Sequence, residues 1–188
     1  MAGRNWFGKD FLSLDYQAAV SAFLDGKAAM MYNGSWFLQD LNDRKRNLQG
    51  PEGIGFFNVP VIDGGLGRPD DYSANCGTVL CLAKRPYDEA TASWLKYVVS
   101  HIGDYAMQEF GAYKGYRLGR LPDHLSTYTR LVTSELAKVR KVALWFEAKL
   151  DAAASQVALD GMQGLFLGAV SPQELFANIE KAAYRTGP

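Results

Sequence analysis

The residues best suited to binding chemistry lie together in one short turn, Asn33-Gly34-Ser35-Trp36. A tryptophan ring offers an apolar face on which the flat C–H patches of a sugar can stack, while a nearby amide and hydroxyl can hydrogen-bond its hydroxyl groups. A glycine lets the backbone approach a ligand closely. The structural alternative is that Trp36 is a core residue and Ser35 only caps a helix. The residue types therefore indicate either an aromatic binding turn or an ordinary helix start.

A second candidate for chemistry is the adjacent carboxylate pair Asp70-Asp71. Carboxylates accept strong charge-assisted hydrogen bonds from hydroxyl groups, and two together could also form a catalytic acid pair. Adjacent carboxylates on a glycine-rich loop are more often simply solvated. No G-x-S-x-G motif is present, and His101 and His124 have no His or Cys partner at metal-ligand spacing. We therefore expect a protein that is not an enzyme and that has no catalytic residues, metal or cofactor.

Composition excludes several classes of protein. The 188 residues are 48% hydrophobic and 21% charged, which is typical of a folded globular chain. The formal net charge is zero, so we expect no nucleic-acid partner, and the basic run Arg44-Lys45-Arg46 is interpreted as a solvated helix end. No apolar run is long enough to span a bilayer. Cys76 and Cys81 lie on opposite faces of a predicted strand and are expected to be buried thiols that do not pair.

The predicted elements that must position these residues alternate between helices and short strands. A helix over 14–24 ends near Gly26, a strand over 28–32 leads into the Asn33–Trp36 turn, and a helix follows from Ser35. Further along, Ser171, Pro172 and Glu174 form a capping box that opens the last helix. The remaining predictions are strands over 56–60 and 77–83 and helices from Asp88, over 103–110, over 128–150 and over 154–166.

The stretch from Phe23 to Trp36 (F-L-D-G-K-A-A-M-M-Y-N-G-S-W) closely resembles the F-x-x-G-K-A-A-M-x-x-x-G-x-W motif of family 1 extracellular solute-binding proteins. This group includes maltose-binding protein. The W-L-K-Y pattern of 94–97 and the G-x-x-S-P-x-E turn of 168–174 are similar to later family features. The resemblance extends from about Phe11 to Tyr184.

The resemblance implies an α/β fold of the periplasmic-binding-protein type II-like class, helix-rich, in which two lobes enclose the ligand. Residues 1–72 and 131–188 would form the first and last parts of the C-terminal lobe. Residues 73–130 would form a segment that crosses to the N-terminal lobe. Family members are much longer, so this chain is expected to be the C-terminal portion of such a protein, a fragment that self-associates through exposed edges.

The resemblance also implies a function. The chain would belong to the substrate-binding component of a carbohydrate ABC importer, which captures a sugar or oligosaccharide between its lobes and delivers it to permease subunits. It would be extracellular or periplasmic, and a membrane-anchored lipoprotein in its full-length parent. Two alternatives stay open at this point: a glycoside-acting enzyme that uses the Asp70/Asp71 region, and a binding protein for a non-sugar solute.

The resemblance assigns roles to particular residues. Trp36 matches the ligand-stacking tryptophan of the motif. Tyr72 and Asn75 fall where the chain would cross between lobes, where they either contact ligand or form a turn. Trp145 lies close to where the family brings an aromatic residue into the cleft, or else belongs to the core. The predicted ligand-binding residues are Asn33, Gly34, Ser35, Trp36, Tyr72, Asn75 and Trp145.

Overall fold

A computed structural model describes residues 7–8, 11–74, 81–84, 87–116 and 118–184. It is helix-rich, with a small parallel two-stranded sheet, so the expectation of a helix-rich chain with some β structure is confirmed. The elements in chain order are α1 (Tyr16–Leu24), α2 (Leu38–Asn42), β1 (Asp71–Ala74), α3 (Glu89–Phe110), α4 (Thr127–Leu136), β2 (Lys141–Leu144), α5 (Ala152–Leu167) and α6 (Pro172–Tyr184). Short 3-10 helices span Phe11–Ser13, Ser35–Phe37 and Phe146–Lys149.

The chain divides into two compact units. The larger unit comprises Tyr16–Tyr72 and the described part of Cys76–Lys141. The smaller unit comprises the described parts of Val142–Pro188, Met1–Asp15 and Ser73–Asn75. The assignment of residues to an N-terminal and a C-terminal lobe stays a prediction.

The core of the larger unit forms where α1 and α4 pack against the segment that opens α2. Val20 and Leu24 of α1 are buried against Phe37, and the next residue, Leu38, is buried against Tyr128 and Val132 of α4. Each fully buried aliphatic side chain of this kind contributes about 1.5–3 kcal/mol. The pair Phe37–Leu38 thus anchors the turn that precedes it.

A partly buried polar network joins the ends of α2, α3 and α4, and we call it the Asn42 network. The Asn42 amide donates to the carbonyl of Phe110 at 2.9 Å and to the Thr129 hydroxyl at 3.1 Å. The Thr129 hydroxyl donates to the carbonyl of Gly111 at 2.7 Å, and the Ser126 hydroxyl donates to Asn42 at 2.6 Å. Thr129 is fully buried. Because each buried group has a partner, the network fixes three helix ends together.

The smaller unit is built on the packing of α5 against α6. Among its described residues, Ala154, Ala158 and Leu175 are buried. A Cβ at Gly161 of α5 would overlap the Cδ1 methyl group of Leu175, so the leucine side chain would have to turn aside for any larger residue at this position. The rings of Phe7, Phe11 and Phe166 form an additional aromatic cluster, with centroids 5.4–6.2 Å apart.

The capping box predicted at the start of α6 is confirmed. The Ser171 backbone N–H and hydroxyl both donate to the Glu174 carboxylate at 2.8 Å, and the Glu174 N–H donates to the Ser171 hydroxyl at 3.2 Å. These bonds lower the pKa of Glu174, first through the Ser171 backbone N–H and then through its hydroxyl. At α3, the Thr91 N–H likewise lowers the pKa of the capping residue Asp88.

This geometry predicts a pH dependence of α6. A carboxylate whose folded-state pKa is lowered stabilises the fold fully above its ordinary value, 4.5 for Glu174, and loses that contribution as the pH falls through the lower folded value. Glu174→Gln should therefore flatten the loss of helical circular dichroism between about pH 5 and pH 3 at constant urea. Glu180→Gln, on the same helix but outside the capping box, is the matched control. Identical acid profiles for both variants would contradict the role of the box.

Several predicted elements are wrong. Residues 28–32 and 56–60 form no strand, and among the described residues no strand pairs with the first segment, whose Met30 and Tyr32 are exposed. The helices predicted from Asp88 and over 103–110 are one continuous helix, because Gly103 in a helix interior lowers stability without ending the helix.

The helix predicted over 128–150 is also wrong. The observed helix, α4, ends at Leu136, and the chain continues into β2, which pairs with β1. Backbone pairing overrides helical periodicity here, since Val142 and Leu144 of β2 suit a strand as well as a helix. Cys81 is exposed and lies outside any strand, which corrects its assignment as a buried thiol. Cys76 and residues 77–80 of the strand predicted over 77–83 lie outside the described residues.

Candidate functional site

The Asn33–Trp36 turn presents Trp36 to solvent because the residues after it are anchored in the core. Gly34 is extended, with φ −114° and ψ −178°, and precedes the 3-10 helix Ser35–Phe37. Phe37 is buried against α1, whereas the Trp36 side chain is 45% exposed. The alternative that Trp36 is a core residue is therefore wrong. Ser35 is the first residue of the 3-10 helix and makes no side-chain cap, so its predicted capping role is also wrong.

Tyr16, the first residue of α1, holds this turn from the side. The Trp36 indole Nε1–H donates to the Tyr16 hydroxyl oxygen at 3.3 Å. The Asn33 Nδ2 amide donates to the same oxygen at 3.2 Å. The Asn33 Oδ1 in turn accepts from the Gly34 N–H at 2.9 Å, which fixes the orientation of the amide. The Tyr16 phenol oxygen thus accepts two hydrogen bonds, from side chains that lie 17 and 20 positions further along the chain.

Gly34 lies directly under the six-membered ring of Trp36. A Cβ at this position would overlap the ring atoms Cε3, Cζ3 and Cη2 of the indole. The missing side chain is therefore what lets the ring fold back over the backbone. Any larger residue at Gly34 would push the ring away from the orientation in which it reaches Tyr16.

These residues form one exposed surface, which we call the Tyr16–Trp36 platform: Tyr16, Asn33, Gly34, Ser35 and Trp36. Its two aromatic side chains are 47% and 45% exposed, enough to offer ring surface to a ligand. The polar groups around the rings are an amide, a hydroxyl and a phenol, all uncharged. Aromatic surface edged by neutral hydrogen-bonding groups suits a ligand that has both C–H faces and hydroxyl groups.

The other predicted site residues are placed separately. Tyr72 lies in β1 and is half-buried. Trp145 is half-buried at the N-cap of the 3-10 helix Phe146–Lys149, within the smaller unit. Asn75 lies outside the described residues. The structure therefore brings together Asn33, Gly34, Ser35 and Trp36, and the ligand roles of all seven residues stay predictions.

The carboxylate pair at the start of β1 has local partners. Asp71 Oδ2 accepts from the Arg68 N–H at 2.9 Å, which closes the loop before the strand. Asp70 Oδ2 lies 3.9 Å from Arg140 Nε, and its carbonyl accepts from the Arg140 N–H at 3.5 Å. These contacts hold the entry to the two-stranded sheet. The second carboxylate oxygen of Asp71, Oδ1, is buried and has no hydrogen-bond partner in the described part of the chain.

Within residues 7–8, 11–74, 81–84, 87–116 and 118–184, no three His, Cys, Asp or Glu side chains converge as metal ligands would. In the same part of the chain, none of the helices combines the length and apolar character that crossing a bilayer requires.

Sequence reasoning missed Tyr16. The residue precedes the apolar stripe of α1 by four positions, and nothing in the Phe23–Trp36 pattern points to it. The available signal was its type and place: an aromatic residue with a polar tip at the exposed first turn of a helix whose other face is core. Such a residue can hydrogen-bond with a neighbouring segment, but its partner is set by tertiary packing.

Comparisons with known proteins place the fold but not the family. No protein-family model matches the sequence, and no curated protein matches it. Among solved structures, the chain is similar to a chitin oligosaccharide binding protein, with a TM-score of 0.73 and 18% sequence identity. The match covers 94% of this chain and 44% of that protein. The chain therefore shares the fold of less than half of a longer binding protein.

Proposed function

We propose that this chain is part of a carbohydrate-binding protein and that the Tyr16–Trp36 platform contacts the sugar. The observation that carries the proposal is the geometry of Trp36. Its ring is about half exposed, rests on Gly34 and is hydrogen-bonded to Tyr16. A ring held in this way offers an ordered stacking surface, so little conformational freedom is lost when a sugar binds.

Two further observations support a sugar as the ligand. The fold is similar to that of a protein named for binding chitin oligosaccharides, which makes an oligosaccharide the first ligand to test. The Phe23–Trp36 stretch resembles the motif of family 1 solute-binding proteins, in which the corresponding tryptophan stacks on the ligand. The platform also lacks charge, which favours a neutral sugar over a polyamine or another charged solute.

On this proposal the intact protein is the substrate-binding component of a carbohydrate ABC importer. It would close two lobes around an oligosaccharide and deliver it to permease subunits, outside the cytoplasm and anchored to the membrane as a lipoprotein. Closure of this kind shifts a pre-existing equilibrium between open and closed forms. The chain matches 44% of its structural neighbour, so we propose that the rest of the intact protein supplies the remainder of the cleft. In that complete cleft, the additional ligand contacts from this chain are proposed to be Tyr72, Asn75 and Trp145.

The proposal is tested by isothermal titration of the chain with a panel of neutral oligosaccharides of the chitin, maltose, cellulose and xylan series. We expect saturable binding of at least one series, and at least about tenfold weaker binding of the others, which corresponds to about 1.4 kcal/mol. Binding of a polyamine but of no sugar would overturn the proposal. Release of reducing sugar from a panel member would instead favour the glycoside-acting alternative.

A further inference from the structure

We propose that Tyr16 is a positioning residue that sets the orientation of the Trp36 ring and aims one hydrogen-bond donor at the ligand. The first half of this inference concerns the free protein and does not depend on what is bound. The second half rests on the proposed sugar-binding function.

The directions of the hydrogen bonds at Tyr16 follow from the chemistry of its partners. An indole N–H and a carboxamide NH₂ can only donate, so the phenol oxygen accepts from Trp36 at 3.3 Å and from Asn33 at 3.2 Å. The amide of Asn33 is oriented independently, because its oxygen accepts from the Gly34 N–H. The Tyr16 O–H proton therefore has to be donated to another acceptor. Since Tyr16 is 47% exposed, water or a ligand oxygen can be that acceptor.

The indole is held at two opposite edges. The five-membered ring is fixed through its Nε1–H on Tyr16, and the six-membered ring lies against the backbone of Gly34. Rotation about the Cβ–Cγ bond of tryptophan has only broad preferences, so side-chain contacts must supply the orientation. With Tyr16 in place, one orientation combines the Gly34 contact and the hydrogen bond. Without its hydroxyl, the ring loses this hydrogen bond and its orientation is less fixed.

The same arrangement defines what the platform selects. A sugar stacked on Trp36 places its ring-edge hydroxyl groups beside the indole, where the Tyr16 O–H is the neighbouring donor. The ligand is therefore a neutral saccharide that offers an acceptor oxygen next to its stacked face. Tyr16→Phe removes that donor and loosens the ring, and both effects weaken binding in the same direction.

The test begins with the free protein, using ¹⁵N-labelled wild type, Tyr16→Phe and Tyr32→Phe. The indole N–H resonance of Trp36 is assigned by its absence in Trp36→Phe. In Tyr16→Phe this resonance should shift and its hydrogen exchange with water should accelerate several-fold, while the resonance of Trp94 stays in place. Tyr32→Phe is the control, since Tyr32 is 78% exposed and lies on the same segment. An unchanged Trp36 resonance and exchange rate in Tyr16→Phe would overturn the positioning role.

The second arm measures affinity for the best sugar of the oligosaccharide panel. In Tyr16→Phe, binding must order the loosened Trp36 side chain and lacks the Tyr16 hydrogen-bond donor. Together these two effects correspond to about 3- to 10-fold weaker binding, whereas the affinity of Tyr32→Phe should not change. Equal affinities of wild type and Tyr16→Phe would overturn the selective role, even if the indole resonance moves. Wild-type protein that binds no sugar of the panel would overturn the proposed function, while the resonance of the free protein still decides the positioning role.

Discussion

Gly111→Ala is expected to lower the free energy of unfolding of the larger unit by about 3 kcal/mol. Gly111 ends α3 in the left-handed region, with φ 60°, where a residue with a Cβ is strained. The added Cβ would also overlap the Asn42 amide nitrogen and would lie 2.6 Å from the Thr129 hydroxyl. Because Thr129 is fully buried and every bond of the Asn42 network shares these groups, the network has to separate. Urea unfolding followed by tryptophan fluorescence measures the change.

The control for this substitution is Gly115→Ala. Gly115 is also left-handed, with φ 76°, but no atom lies within 4 Å of a Cβ placed there. Gly115→Ala should lower the free energy of unfolding by about 1 kcal/mol, because only the backbone is strained at this position. The difference between the two variants therefore isolates the clash with the Asn42 network. Equal losses of stability would show that the network adapts to the methyl group and does not fix the helix ends.

Trp36→Ala is expected to weaken binding of the preferred oligosaccharide at least about 20-fold, which corresponds to roughly 2 kcal/mol for a central aromatic contact. The substitution removes the stacking surface and leaves the phenol of Tyr16 without one of its two donors. Its effect on stability should be small, since the ring is half exposed and Phe37 and Leu38 anchor the segment. Isothermal titration of folded variant protein measures the affinity.

Trp94→Ala is the matched control for Trp36→Ala. Trp94 is an exposed tryptophan of α3, 60% accessible, so its removal deletes a ring of the same type from another surface of the same unit. We expect its affinity for the sugar to equal that of wild type. A loss as large as that of Trp36→Ala would mean that the two variants weaken binding through a general effect, and the platform would lose its assigned role.

The parts of the fold that the sequence predicts well depend on local chemistry. The capping box at Ser171 and Glu174 was predictable because each group bonds with a residue three positions away. Residue types also predict both ends of α3 in the same way. Asp88 caps its start, and the helix ends at Phe110, directly before Gly111. These signals need no knowledge of tertiary contacts.

The strands could not be predicted in the same way. The segment over 28–32 has a strand-like run of apolar residues, but no strand in the described part of the chain pairs with it, and backbone pairing is what makes a strand. Residues 141–144 have no stronger pattern, yet they pair beside β1. The choice depends on which backbone lies alongside, and that is a property of the whole fold.

The candidate site was half predictable. The turn at Asn33–Trp36 stood out by its residue types, and the structure places those side chains together. Tyr16 did not stand out, because its link to Trp36 spans 20 residues and depends on how α1 packs against Phe37. The exposure of Trp36 was likewise undecided until the burial of Phe37 and Leu38 was known. Core packing therefore determines which of the adjacent aromatic residues is available to a ligand.

The most direct test of the central claim is to follow the Trp36 indole N–H resonance while an oligosaccharide is titrated into the ¹⁵N-labelled chain. The account predicts a saturable shift of this resonance with the preferred sugar, with the resonance of Trp94 unmoved. The method reports the residue itself and detects weak as well as tight binding. A sugar that binds by calorimetry without moving the Trp36 resonance, or a panel in which no sugar moves it, would contradict the account.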